Sequence, residues 1–174
     1  MIELYKPDMY KKDIYSIDYK KLKNCGIKCI LFDLDNTLVP YYRSKPTRKL
    51  KDFIEKLKDM GFKVIIFSNS NKKRLTPFKE ILQVDCSASS RKPREKKFKK
   101  VLEEYKFEQS EVSIIGDQVM TDVFGGNRMG IFSILTSPIS NKEPIWTKIN
   151  RLRENRVIKK LEKKGIFKRG EFYE

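Results

Sequence analysis

The sequence predicts an α/β fold: a single domain built on a doubly wound parallel sheet. The middle of the chain repeats one theme, a short apolar run followed by an amphipathic stretch. The runs are continuously apolar, as strands covered on both faces by helices require. The length of 174 residues suits one domain with a real core and is short for two.

Ile27 to Leu34 is the first buried-strand candidate, and Thr47 to Met60 follows as a helix. Leu50, Phe53, Ile54 and Leu57 recur there at i, i+3, i+4 and i+7, and Gly61 closes it. Phe62 to Phe67 is the next strand, with Asn71 to Leu82 as its helix, and Val84 to Ala88 reads as a short extended piece. Phe98, Val101, Leu102 and Tyr105 stripe a third helix. Val112 to Ile115 is a strand, Val119 to Arg128 one helix closed by Gly130, and Ile131 to Leu135 a further strand. Residues 1–24 carry Tyr5, Tyr10, Tyr15 and Tyr19 with weak periodicity and are expected to be a lead-in. Residues 25–138 form the core, and 139–174 a basic, largely helical extension.

Composition excludes much chemistry. With no histidine in the chain, Ser-His-Asp and Cys-His catalysis and His-bearing zinc or iron sites are impossible. Cys25, Cys29 and Cys86 are too few and too irregular for a disulfide framework, and read as thiols of a reducing cytoplasm. Cys86 to Arg91 imitates the C-x5-R phosphate loop but is one residue short, which a cradle of successive amides does not tolerate. Residues 1–13 are too charged for a signal sequence, and the apolar runs are strand-sized. A formal net charge of +16 favours an anionic partner: nucleic acid, an acidic membrane or a phosphorylated substrate.

Ligands of such folds bind at the carboxyl ends of the strands. The first strand ends in Asp33-Leu34-Asp35-Asn36-Thr37, whose two acids, spaced by two, face one space. The next ends in Ser68-Asn69, another in Gly116-Asp117 with Asp122 close behind, and Lys92 stands before the third helix. Acids, a hydroxyl and an ammonium at one sheet edge suit phosphoryl transfer at a hard cation such as Mg²⁺. A carboxylate nucleophile can split the hydrolysis into two steps, and without histidine a carboxylate must also serve as acid and base.

These residues resemble the four motifs of haloacid dehalogenase (HAD) superfamily phosphatases: D-x-D-x-T at Asp33 to Thr37, then Ser68, Lys92, and Gly116-Asp117 with Asp122. Alone, the first motif is weak; four in order after apolar strands are specific. Gly116-Asp117-Gln118, Thr121-Asp122, Gly126-Asn127-Arg128, Arg91-Lys92-Pro93 and the Trp146 to Arg151 segment resemble the YqeG subgroup, related to phosphatidylglycerophosphate phosphatases. The resemblance implies Asp33 as nucleophile and Asp35 as acid and base. It implies Mg²⁺ on Asp33, Asp35 (through its carbonyl) and Asp117, phosphate binding by Ser68, Asn69 and Lys92, and Asp122 behind the metal or Lys92. It also implies a phosphoester with a poor leaving group, phosphatidylglycerophosphate first.

Asp33 and Ser68 are 35 positions apart, and Ser68 and Lys92 24 apart; neither gap holds a folded cap. The site is therefore expected to be open, suiting a phosphate on a lipid or macromolecule. Residues 91–100 and 144–164 each carry net +6. The second block, with Ile145, Trp146 and Ile149, reads either as an interfacial helix on acidic lipid or as a solvated face. The expectation is a cytoplasmic enzyme with peripheral association at the inner membrane face. The alternatives are a phosphatase of a soluble phosphomonoester or phosphoprotein, and a non-catalytic basic RNA-binding module.

Overall fold

The computed structural model describes residues 2–143 and 145–174. In the last helix the side chains of Ile145, Trp146, Lys148 and Ile149 lie outside the described residues, and with them the interfacial anchors expected there. The strands are β1 (Met9–Lys11), β2 (Cys29–Phe32), β3 (Lys63–Phe67), β4 (Asp85–Ser87), β5 (Val112–Gly116) and β6 (Phe132–Thr136). Among the described residues they form one all-parallel sheet in the order β1-β6-β5-β2-β3-β4. The helices are α1 (Tyr19–Asn24), α2 (Arg48–Asp59), α3 (Lys72–Leu82), α4 (Glu95–Tyr105), α5 (Phe124–Arg128) and α6 (Ile145–Lys163).

The central strands are apolar throughout because each packs on both faces. Leu31 stands in register with Ile65 and Ile114, and this set meets Phe98 and Val101 of α4. Its neighbours Ile30, Phe32, Val64 and Ile66 turn the other way, onto Leu50, Ile54 and Leu57 of α2 and Leu75, Phe78 and Leu82 of α3. The caps are local: Thr47 Oγ1 accepts from Leu50 N–H (3.1 Å), and Asn71 Oδ1 from Arg74 N–H (2.9 Å). Gly61 takes φ +92°, where a side chain would be strained.

Three features depart from the sequence reading. The first 24 residues are more than a lead-in: Met9–Lys11 pairs with β6 along the sheet edge. That edge is closed by the far end of the chain, where Tyr10 and Tyr173 exchange both backbone hydrogen bonds (3.0 and 2.9 Å). Beneath them Tyr10, Leu135, Ile158, Leu161 and Phe167 share a small core of their own. Finally, Val119 to Arg128 is two elements, a π-helical turn over Val119–Val123 running into α5. Val123 N–H reaches back to the Gln118 carbonyl (3.4 Å), and this wide turn carries Asp122 into the interior.

The chain leaves β2 for β3 and β4, then returns to β5 on the other side of β2. The carboxyl ends of β2 and β5 therefore flank the switch point where such sheets bind ligands. No cap interrupts the span from Asp33 to Lys92, which holds a turn, α2, β3, α3 and β4.

Candidate active site

Asp33 extends the β2 ladder by one residue, its N–H donating to the Ile115 carbonyl (2.9 Å). The chain then turns through Asn36, whose φ of +64° lets its N–H reach the Val39 carbonyl (2.7 Å). Asp117 follows β5 directly. One carboxylate oxygen each from Asp33, Asp117 and Asp122 lies within 4.8 Å of the others, and all three residues are buried.

Lys92 joins two of these acids. Its Nζ donates to Asp33 Oδ1 and Asp122 Oδ1, both at 2.6 Å, from a side chain 2 % exposed. Its main chain is clamped by Asn69, whose Oδ1 accepts from Lys92 N–H (2.7 Å) and whose Nδ2 donates to Lys92 O (3.3 Å). Asn69, expected to bind phosphate, thus places the lysine and also lines the cleft. The Ser90 and Ser89 N–H groups donate to the Ser68 and Ser70 carbonyls, zipping the same loop to the end of β3 (2.9 and 2.8 Å). Ser68 Oγ accepts from Ser70 N–H (3.1 Å), which leaves its proton for donation into the cleft.

Burial dominates the electrostatics. It pushes the Asp33 carboxyl above the usual range, against the pull of Lys92 and with the repulsion of Asp122. Burial does the same to Asp117, opposed by Arg151. Lys92 is desolvated too, yet Asp122 and Asp33 hold it charged. Lys92 and Arg151 do not offset the three buried carboxylates, because Arg151 is shared with Glu143 and Glu154; a hard cation on oxygen ligands resolves the surplus negative charge. The donor set thus fits a divalent metal, which the carboxylates of Asp33, Asp117 and Asp122 could hold. The Cys86 thiol, by contrast, is pushed by burial up to about 12, so it is no thiolate at neutral pH.

Asp35 is arranged differently. Its carboxylate leaves the acidic cluster for Ser70 Oγ (2.7 Å) and for Arg74, which donates through Nε (3.2 Å) and Nη2 (2.8 Å). Arg74 also donates to the Arg43 carbonyl (2.6 Å). Arg74 escaped the sequence reading; its placement in the first turn of α3, beside the end of β3, was the available signal.

The site opens as a cleft of about 310 Å³ whose walls include Asp35, Tyr41, Ser68 and Lys92. Thr147 and Asn150 complete it, so α6 supplies a wall. The expected openness is corrected to this extent: nothing is inserted between the motifs, but the C-terminal helix screens one side. α6 also brings Arg151, whose Nη1 donates to the Asp117 carbonyl (2.8 Å) and whose Nη2 pairs with its carboxylate. Arg151 closes the segment that resembles the YqeG subgroup, but neither periodicity nor composition gave it a role among the basic residues around it.

Strand order, motif placement and the acid–lysine cluster define a phosphatase of the HAD superfamily. The solved structure of a HAD-like family hydrolase from Porphyromonas gingivalis shares the fold (TM-score 0.52, 15 % identity, 72 % of this chain and 98 % of that one). The family model for mitochondrial PGP phosphatase matches residues 2–140, and the chain belongs to that family. It is 37 % identical over 163 residues to "Probable phosphatase YqeG" of Bacillus subtilis, covering 94 % of this chain and 95 % of the relative. It is 31 % identical over 172 residues to phosphatidylglycerophosphate phosphatase 1, chloroplastic/mitochondrial, of Arabidopsis thaliana. There it covers 92 % of this chain and spans about half of the Arabidopsis protein (49 %).

Proposed function

We propose that the protein hydrolyses a phosphomonoester on a lipid head group, phosphatidylglycerophosphate being the substrate to test first, through an aspartyl phosphate on Asp33 with Mg²⁺ as cofactor. The observation that carries the chemistry is the buried cluster of Asp33, Lys92, Asp117 and Asp122 at the switch point. In this reading an Asp33 oxygen forms a bond to phosphorus as the ester P–O bond breaks. Asp35, at the rim, gives its proton to the leaving alkoxide, for which its protonated form must loosen its pairing with Arg74. The same carboxylate then takes a proton from the water that attacks the aspartyl phosphate, and inorganic phosphate leaves. Lys92 and the Ser68 hydroxyl bind phosphoryl oxygens, and Asp122 aligns Lys92. Asp33, the Asp35 carbonyl and Asp117 would hold Mg²⁺, which supplies charge neutralisation at the transferring group.

A lipid-borne substrate is supported by the lack of an inserted cap, and by exposed Tyr42 (61 %) and Ile139 (48 %) on loops beside the cleft. Lys142 Nζ sits over the Tyr42 ring (5.7 Å), and tyrosine with nearby cations suits an anionic interface. Among the described residues no helix is long and apolar enough to cross a membrane. We place the enzyme peripherally, at the cytoplasmic face of the inner membrane. The α6 wall favours the second reading, a small soluble phosphomonoester.

One panel separates them: phosphatidylglycerophosphate in vesicles against soluble phosphomonoesters, with Mg²⁺ and with Asp33→Asn as control. Vesicle-stimulated turnover that Asp33→Asn abolishes is expected. Equal turnover of every small ester would refute the lipid reading, and RNA binding with no turnover at all would refute the enzyme.

A further inference from the structure

The guanidinium of Arg151 is fixed from two sides. Towards the sheet it holds Asp117 by carbonyl and carboxylate. Away from it, Nε donates to Glu143 Oε1 (2.9 Å) and Nη1 to Glu154 Oε1 (2.9 Å). Glu154 is 1 % exposed and is itself braced, accepting from Arg169 Nη2 (2.8 Å) and from Met120 N–H (3.4 Å). Thr37 Oγ1 donates to the remaining oxygen of Asp117 (3.3 Å). Asp117 is therefore held at three points, two of them on a residue 34 positions later in the chain.

We infer that Arg151 is a positioning residue for the cation site: it fixes Asp117 so that a carboxylate oxygen stays beside those of Asp33 and Asp122, which makes α6 part of the active site. The inference rests on the metal-dependent reading above. Two effects compete in it. A guanidinium beside a metal ligand repels the cation, while a clamped ligand is pre-organised for it. The local charges decide between them: Glu143 and Glu154 balance Arg151 and Arg169, so the cluster behind Asp117 is neutral and its long-range repulsion is small. Orientation wins. A residue acting behind a ligand in this way is worth about 10- to 100-fold in metal affinity.

The test is calorimetric titration of the full chain with Mg²⁺, and with Mn²⁺ as a second probe, alongside thermal melting. Arg151→Gln is expected to weaken Mg²⁺ binding about tenfold or more. Arg151→Lys keeps the charge but loses the fork, and is expected to lose most of the same affinity. Leu161→Ala, buried in the small core under α6, is expected to lower the melting temperature and leave Mg²⁺ affinity within twofold. A wild-type chain that binds neither ion overturns the metal reading and the inference with it. A wild-type chain that binds, with Arg151→Gln equally tight or tighter, overturns the inference alone, as does a lowered melting temperature with unchanged affinity. Should Arg151→Gln fail to fold, Arg151→Lys decides: wild-type affinity there overturns the inference.

Discussion

Arg74 grips Asp35 with two nitrogens, Nε at 3.2 Å and Nη2 at 2.8 Å from one carboxylate oxygen, and so sets where the proposed acid stands at the cleft. A positioned acid matters most when the leaving group is poor, because a good one departs without a proton. Asp35→Asn is expected to slow hydrolysis of an alkyl phosphate by about 10²- to 10⁴-fold, and that of p-nitrophenyl phosphate far less. Arg74→Ala is expected to give the same pattern more weakly, about 10- to 100-fold on the alkyl ester, by misplacing the acid. Equal losses on both substrates would deny Asp35 the role of acid.

The buried acids make metal-free stability depend on pH in an unusual direction. Burial raises the Asp33 and Asp117 carboxyls in the folded chain, so the folded state binds protons more tightly than the unfolded one. Their contribution is complete below the unfolded carboxylate value of about 4 and is lost as pH rises through the raised folded values. Lys92 and Arg151, also raised, stay charged throughout this window and set no slope in it. With EDTA present, the urea midpoint is therefore expected to fall between about pH 5 and pH 8. Saturating Mg²⁺ should flatten or reverse that slope, because it binds the deprotonated ligands. A midpoint that rises with pH in EDTA would contradict the electrostatics described here.

Gly116 is required by close approach rather than by backbone angle. A methyl group there would lie 2.2 Å from Asp122 Cγ and Oδ2 and 2.7 Å from its Cβ. Gly116→Ala must push Asp122 away from Lys92. The expected cost is about 1–3 kcal/mol of stability with turnover largely lost. Melting temperature and activity, measured together, check it; wild-type activity would mean that the Lys92–Asp122 contact is dispensable.

What the sequence revealed and what it hid divide along range of interaction. α2 was legible because Leu50, Ile54 and Leu57 share a face at helical spacing and Thr47 caps it from three residues away. Asp33 and Asp117 were legible because each directly follows a continuous apolar run at a sheet edge. β1 was not: three residues long, it is completed by β6 and by Tyr173, over 120 and 160 positions away. The π-turn was hidden because Val119 and Val123 have ordinary helical spacing, and only the contact of Asp122 with Lys92 shows what the wider turn achieves. Arg74 and Arg151 look like surface cations until Asp35 and Asp117 are brought to them.

The two basic blocks take on a sharper meaning once Lys92 and Arg151 are located. One cation from each block is committed to the site, held by Asp33 and Asp122 or by Asp117, Glu143 and Glu154. Exposed members such as Lys96 and Lys100 remain for an anionic surface, and α4 carries them immediately after the loop that places Lys92. Changing these two to Gln removes charge without touching the cluster. The expected result is a several-fold rise in KM for substrate in anionic vesicles, shrinking as salt rises towards a Debye length of about 3 Å near 1 M. Turnover of a soluble phosphomonoester should stay within twofold of wild type. Unchanged vesicle kinetics at low salt would show that α4 does not read the membrane, and would return these lysines to the role of a solvated helix face.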